Sequence, residues 1–463
     1  MFVTDWVKVG KSANRGMAVC LLLSGAASAT TDYYRPAGAA QLAEVVAGYR
    51  ALFTCSAHFI ADRSLQQIQR VELVDTHAFE LPAPVIDSKQ RLVTAAGPDG
   101  QVAIAVHREA MGCTLLPPDW RVSDIPKLPH TQLASPPEVE SIEFPLGDKV
   151  VVRPNGAQRA LLKRAFDGES FGSGSVSGAV LVIKNGKLVG ERYGNGFGVH
   201  SGYRTWSTAK SISATLIGIA IRDGLIERDA RVPIAQWQFA SDPRRAITIE
   251  HLLHMSSGLQ SQGSNTNAIY FGGAQVASAV TQTPLEAEPG SRWKYANNDT
   301  LLLLRSLRHV LRDDQRYLRY PYDELFHRIG MYHTRMELDH AGDFIGSSQV
   351  YTTARDLARF GLLYLNDGIW ESQRILPEGW AKFVAQPAPS RPVVQGEAGY
   401  GAQFWLYGGL PGIPAGTYTT SGNKGQFVTI VPRHNMIVVR TGVDPLGKRW
   451  QQAAFVAEVL KNF

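Results

Sequence analysis

Cysteine is scarce in this sequence, with three in 463 residues. No apolar stretch reaches the roughly 18 residues needed to span a bilayer, and no five or six like charges run together. The first scarcity excludes a disulfide-dense scaffold. The second lack argues against a transmembrane helix, and the third against a nucleic-acid-binding tail. No Gly-x4-Gly-Lys-Ser/Thr phosphate-loop pattern occurs, and no internal repeat is visible. The 47 Lys and Arg exceed the 41 Asp and Glu by a formal +6, a small excess for this length. Gly (44) and Pro (25) are plentiful, which argues for many turns and against an all-helical bundle. At roughly 150 residues per unit the length predicts two or three domains.

Residues 1–29 read as an export signal. Lys8, Lys11 and Arg15 form a basic segment, residues 17–25 an apolar one, and Ala27-Ser28-Ala29 a small-x-small cleavage pattern. Val19 stands where a lipoprotein signal needs a small residue before Cys20. Cleavage removes three basic residues and Asp5, leaving a formal charge of +4 with no transmembrane segment. It also removes Cys20. Cys55 and Cys113 then form either one disulfide in an oxidising compartment or two buried thiols. The expected location is periplasmic or secreted.

Residues 30–150 form a first block. A helix is expected near 40–52, and a strand at 101–106 beside the Pro98-Asp99-Gly100 turn. Seven prolines between 117 and 145 mark a connecting segment. Residues 151–463 form the second block. It opens on a hairpin, 178–184 and 187–192, around Asn185-Gly186. It closes on strands at 401–407, 426–431 and 436–443 and a helix at 448–461. Helices are expected between, from Ser207 to before Gly224, at 249–255, and from a Thr353–Asp356 capping box to 365. Strands at both ends of a block predict an α+β fold, with the early hairpin and late strands sharing one antiparallel sheet.

Ser207 and Lys210 form a Ser-x-x-Lys at the start of the 207–223 helix, one turn apart on one face. Helix-start N–H groups favour a developing anion, and a lysine whose pKa is lowered can take the serine proton. Ser291/Lys294 and Ser421/Lys424 match the same pattern but sit in a turn and beside Gly422. Without further context Ser207 reads as a helix-capping serine with a solvated lysine. Tyr295-Ala296-Asn297 supplies a phenol able to act as a base near cations. Ser421-Gly422-Asn423 enters a strand whose backbone N–H groups suit an oxyanion hole. His251 and His254 lack a third ligand and read as packing residues, so no metal is assigned. Trp206 and Trp293 read as core anchors.

Ser-x-x-Lys, Tyr-x-Asn and a Ser-Gly strand, in that order, resemble the serine hydrolases of the class C β-lactamase and penicillin-binding-protein superfamily. The phrases at 247–258, 289–290 and 351–361 fit as well. The wording near Trp206-Ser207 and Gly425-Gln426-Phe427 is nearer to its esterase and 6-aminohexanoate-oligomer hydrolase branch. The resemblance implies a β-lactamase/transpeptidase-like fold: an antiparallel sheet flanked by helices, a mainly helical subdomain and, here, a small N-terminal α+β accessory domain. It implies Ser207 as nucleophile, with Lys210 and Tyr295 sharing the proton work and Tyr295 as base for Ser207. Asn297 would position substrate, and the N–H groups of Ser207 and Asn423 would form the oxyanion hole beside Ser421 and Gly422. The reaction needs no metal or organic cofactor, and the substrate is a small or short-peptide ester or amide. Thr420 stands where β-lactamases of the superfamily place a lysine, and Lys424 is the candidate replacement for that cationic anchor. The rivals are a non-turnover penicillin-binding-like sensor and a peptidoglycan D-alanyl carboxypeptidase.

Overall fold

The computed structural model describes residue 43 and residues 45–463, except 99 and 261–263. The expected export signal lies outside the described residues. Among the described residues no helix is long and apolar enough to cross a membrane.

The first block is a helix, α1 (Val46–Phe59), on a four-stranded antiparallel sheet, β1 (Val85–Asp87), β2 (Leu92–Ala96), β3 (Val102–Arg108) and β4 (Gly112–Leu115), in sequential order. The helix ends later than expected, because its buried face runs through to Ala57, and the start of the expected helix lies outside the described residues. The sulfurs of Cys55 in α1 and Cys113 in β4 lie at bonding distance.

A seven-stranded antiparallel sheet organises the second block. Its strands are β5 (Ser177–Lys184), β6 (Lys187–Tyr193), β10 (Gly399–Tyr400), β11 (Trp405–Leu406), β12 (Tyr418–Gly422), β13 (Gln426–Val431) and β14 (Met436–Gly442), in the spatial order β10-β11-β12-β13-β14-β5-β6. Asn185 and Gly186 both take positive φ, which the tight turn of the β5–β6 hairpin requires. β14 pairs with β5 from Met436↔Lys184 to Thr441↔Ala179, so the two ends of the block meet as expected. The continuous apolar runs of β5, β13 and β14 arise because both faces of the sheet are covered. Ala179, Leu181, Ile183, Val428, Ile437 and Val439 join one hydrophobic cluster. Val180, Val182, Phe427, Met436 and Val438 join another, under the C-terminal helix α6 (Gln452–Asn462). Helix α5 (Ala354–Leu365) covers the first face. It comes so close at Gly361 that a Cβ there would press on Ile437 and Val428. Only half of the expected capping box forms. Thr353 accepts from Asp356 N–H, while the Asp356 carboxylate turns to Thr334 and Arg359. Of the expected strand at 401–407 only β11 (Trp405–Leu406) forms, paired with β10 just before that span, and Gln403 stands at positive φ between the two.

Helices α2 (Thr208–Arg222), α3 (Ile249–Leu253) and α4 (Asn297–Leu311) make the mainly helical part. A small sheet of β7 (Tyr203–Arg204), β8 (Arg335–Met336) and β9 (Val350–Thr352) leads into α2. The architecture is α+β. Tyr49, Leu52 and Phe53 of α1 belong to the same buried cluster as Ile212 of α2 and Leu302 of α4. The buried Glu337 carboxylate ties the blocks further, accepting from Ser56 Oγ at 2.6 Å and Cys113 N–H at 3.0 Å. Burial pushes its pKa up to about 7.

The cysteine pair closes a loop of 58 residues. The double variant Cys55→Ala/Cys113→Ala is expected to lose about 4 kcal/mol of stability on the chain-entropy relation, read as a lower urea midpoint.

Candidate active site

Ser207 sits at the mouth of α2, in helical φ and ψ, and its side chain makes no capping bond to the helix. The capping-serine alternative therefore does not describe it. Ser207 Oγ lies 3.0 Å from Lys210 Nζ. Nor is Lys210 solvated, since it is 1% exposed. Lys210 Nζ donates to Asn297 Oδ1 at 2.6 Å and to the Ser347 carbonyl at 2.8 Å. Burial pulls its pKa down to about 7. A neutral amine has two N–H groups and one lone pair. With both N–H groups given to Asn297 and Ser347, the lone pair is left to face the Ser207 hydroxyl.

Three separate segments hold this arrangement. Asn297 is the first residue of α4, and its amide is engaged at both ends, with Nδ2 donating to Thr266 Oγ1 at 3.2 Å. Ser347 lies in the loop before β9, and its hydroxyl meets Tyr270 Oη at 2.6 Å. Tyr295 places its ring centroid 5.0 Å from Lys210 Nζ and stacks on Trp405. Trp293, Tyr400 and Trp405 complete an aromatic cluster, capped by the Arg391 guanidinium at 3.9 Å from the Trp293 ring. Trp293 is the anchor expected of it, and so is Trp206, which packs on Phe53 of the first block.

Strand β12 carries Ser421 and Gly422 and runs against the turn that leads into Ser207. A Cβ on Gly422 would collide with the Thr205 carbonyl, so only glycine permits this approach. Thr208 Oγ1 donates to Thr420 Oγ1 at 3.0 Å, pinning the start of α2 to the strand. Asn423 follows, its side chain accepting from Lys424 N–H at 2.9 Å. Beside the strand opens a cleft of about 580 Å³, whose walls include Trp405, Tyr407, Ser421, Asn423, Phe427 and Trp450. The structure thus gathers Ser207, Lys210, Tyr295 and Asn297 into one contact group and sets Ser421-Gly422-Asn423 against it. The other Ser-x-x-Lys matches are spent elsewhere: Ser291 Oγ donates to the Glu288 carbonyl, and Lys294 pairs with Glu286. His251 and His254 are packing residues, at the Thr248 cap and against Phe383.

The expectation that Lys424 replaces the missing cationic anchor is overturned. Lys424 is paired with Asp75 of the first block, both side chains 9% exposed, and Asp75 also accepts from Leu446 N–H at 3.1 Å. Its positive φ turns it off the strand, and a buried carboxylate holds the ammonium there. Asp75 and the Ser347 carbonyl are the contributors the sequence did not reveal. An isolated aspartate and a backbone carbonyl carry no motif.

A buried serine–lysine pair at a helix start, flanked by a tyrosine and a Gly-bearing sheet edge, is the site of a β-lactamase-fold protein. The sequence profile of the Beta-lactamase family matches residues 162–452, and the chain belongs to that family. Within it, the 6-aminohexanoate-dimer hydrolase of Paenarthrobacter ureafaciens is 22% identical over 319 residues, covering 63% of this chain and 79% of its own. A solved Bacillus anthracis protein given as "Putative 6-aminohexanoate-dimer hydrolase" superposes with a TM-score of 0.53 at 20% identity, covering 73% of this chain and 89% of its own. A penicillin-binding-protein homologue from Caulobacter crescentus gives 0.52 at 14% identity, covering 68% and 99%. The chain is a hydrolase of this β-lactamase-related family.

Replacing Asp75 by Asn leaves a buried ammonium without its counter-charge. The variant is expected to lose about 3 kcal/mol or more. Asp75→Asn/Lys424→Met should recover most of it, both read by urea denaturation.

Proposed function

We propose that the chain is a serine hydrolase that cleaves an ester or amide through a Ser207 acyl-enzyme. The observation that carries this reading is the buried Lys210 amine, with two hydrogen bonds spent and its third position 3.0 Å from Ser207 Oγ. Ser207 Oγ attacks the substrate carbonyl carbon, and its proton passes to the Lys210–Tyr295 pair. The N–H groups of Ser207 and Asn423 receive the oxyanion. The stored proton goes to the leaving alcohol or amine as the carbonyl–heteroatom bond breaks. Water then attacks the acyl-serine, gives its proton to the same pair, and releases the acid as Ser207 Oγ is reprotonated. Asn297 acts mainly by aiming Lys210, since its amide is already committed to Lys210 and Thr266.

A linear amide or short-chain ester is the substrate class we favour. The hydrolase of Paenarthrobacter ureafaciens named for the 6-aminohexanoate dimer supports it. So do the neutral Thr420, buried in hydrogen bonds with Thr208 and Val428, and the diversion of Lys424 to Asp75. Both positions that would offer a cation to the carboxylate of a β-lactam are thereby committed. Export to the periplasm or beyond is part of the proposal. The signal-like residues 1–29 and the bonding distance of Cys55 to Cys113 support it.

The test is intact-mass analysis and turnover with a chromogenic short-chain ester, an aminohexanoate dimer and a chromogenic cephalosporin. Wild type is expected to turn over the first two and to show a transient acyl adduct, absent in Ser207→Ala. Full activity in Ser207→Ala overturns the mechanism, and a permanent stoichiometric adduct without turnover identifies a sensor instead.

The pH profile checks the base. Lys210 is protonated below about 7 and holds a free lone pair above it. kcat/KM should therefore rise tenfold per pH unit below that point and level off above it. Lys210→Arg, permanently charged, should lose roughly 10³-fold or more.

A further inference from the structure

Away from the serine site, three segments converge on one point. Asp148 ends the proline-rich connection, His200 lies in the loop between β6 and β7, and His333 lies in the turn before β8. Asp148 Oδ2 stands 4.0 Å from His200 Nδ1 and 3.7 Å from His333 Nε2. The three ligand atoms all fall within 4.8 Å of one another. These separations are too long for hydrogen bonds, and His333 Nε2 is buried without a partner.

The charges around the cluster leave room for a cation. Arg355 is held by both oxygens of Glu191 at 2.8 Å, and Arg359 donates to Asp356 Oδ1 at 2.9 Å. Arg359 also takes Asp148 Oδ1 at 2.7 Å. Three carboxylates thus face two guanidinium groups; Arg359 and, at 3.8 Å, Arg355 both lie on Asp148 Oδ1, which leaves Oδ2 to the imidazoles. The guanidinium on Oδ1 fixes the carboxylate plane, as an outer-shell donor does for a ligating carboxylate.

We propose that Asp148, His200 and His333 form a binding site for a divalent transition-metal cation of the zinc class, with water completing the coordination. Two imidazoles and one carboxylate suit such an ion, and not the oxygen-seeking Mg²⁺ or Ca²⁺. In a tetrahedral site with bonds of about 2.1 Å, neighbouring ligand atoms stand about 3.4 Å apart. The two carboxylate–imidazole spacings need to close by about 0.3 and 0.6 Å, and the imidazole–imidazole spacing, within 4.8 Å, by up to about 1.4 Å, a movement the exposed His200 side chain can supply. His200 is 50% exposed, which provides both the entry path and the place for water, while Asp148 is 5% exposed and anchored. The ion would clamp the proline-rich connection to the catalytic block. This inference is independent of the role of Ser207.

The test uses the whole protein, dialysed against EDTA and titrated with Zn²⁺ by calorimetry at neutral pH. Co²⁺ serves as a spectroscopic probe. Wild type is expected to bind one equivalent of Zn²⁺, to melt at higher temperature with it, and to give the visible band of four-coordinate Co²⁺. His200→Ala and His333→Ala should each bind at least roughly tenfold more weakly, and the double variant should lose the Co²⁺ band. His200 is half exposed, so its variant keeps the fold and keeps the test decisive. Absence of one-to-one binding in wild type, equal affinity in the double variant, or Ca²⁺ and Mg²⁺ binding as tightly as Zn²⁺ each overturns the proposal.

Discussion

A lysine amine taken out of water is the constraint around which this molecule is arranged. Desolvation makes the charged form of Lys210 costly, and the residues around it decide what the neutral form does. Two acceptors fix its N–H groups, one from the start of α4 and one from the loop before β9. The remaining direction faces Ser207 because both residues lie one turn apart on α2. The reactivity proposed for the serine therefore depends on three elements meeting at one nitrogen. Burial of α2, nearly complete from Thr208 to Ala220, is what keeps water away from that point.

The turn before Ser207 carries its own strain. Trp206 adopts a positive φ, a conformation that costs a non-glycine residue about 1–2 kcal/mol. Aromatic packing holds it there. The Arg204 guanidinium lies 4.4 Å from the Phe53 ring and 4.8 Å from that of Trp206. Phe53 belongs to α1, and Asp75 of the same block holds the loop after β12. The first block thus touches the site from two sides, through a ring behind Ser207 and a carboxylate beyond Asn423.

Much of this was legible in the sequence where one residue type admits one local geometry. Asn185-Gly186 announced its hairpin, and the Ser207, Tyr295 and Ser421-Gly422 motifs announced a hydrolase of this superfamily. What escaped depends on partners distant in sequence. Lys424 looked available because nothing near it is acidic, and its partner is 349 positions away. Ser347 contributes a carbonyl, which every residue has. The strand at 401–407 read as continuous because four apolar and aromatic residues run together at 404–407, yet Gln403 turns out of it to donate to the Leu252 carbonyl and accept from Thr300. The Thr353 box was read correctly as a helix start but not as a box, because Arg359 and Thr334 compete for the aspartate.

The pairing of β5 with β14 joins residues more than 250 positions apart inside the large sheet. Contacts of such sequence separation form late, after a large loss of chain entropy. A growing chain still lacking β14 has its early hairpin edge unpaired and one wall of each hydrophobic cluster missing. The sheet on which Ser207 rests cannot close until nearly the whole chain is available. The geometry of the serine–lysine site is therefore an end-of-synthesis property: a partly made chain carries the motif residues but not their arrangement.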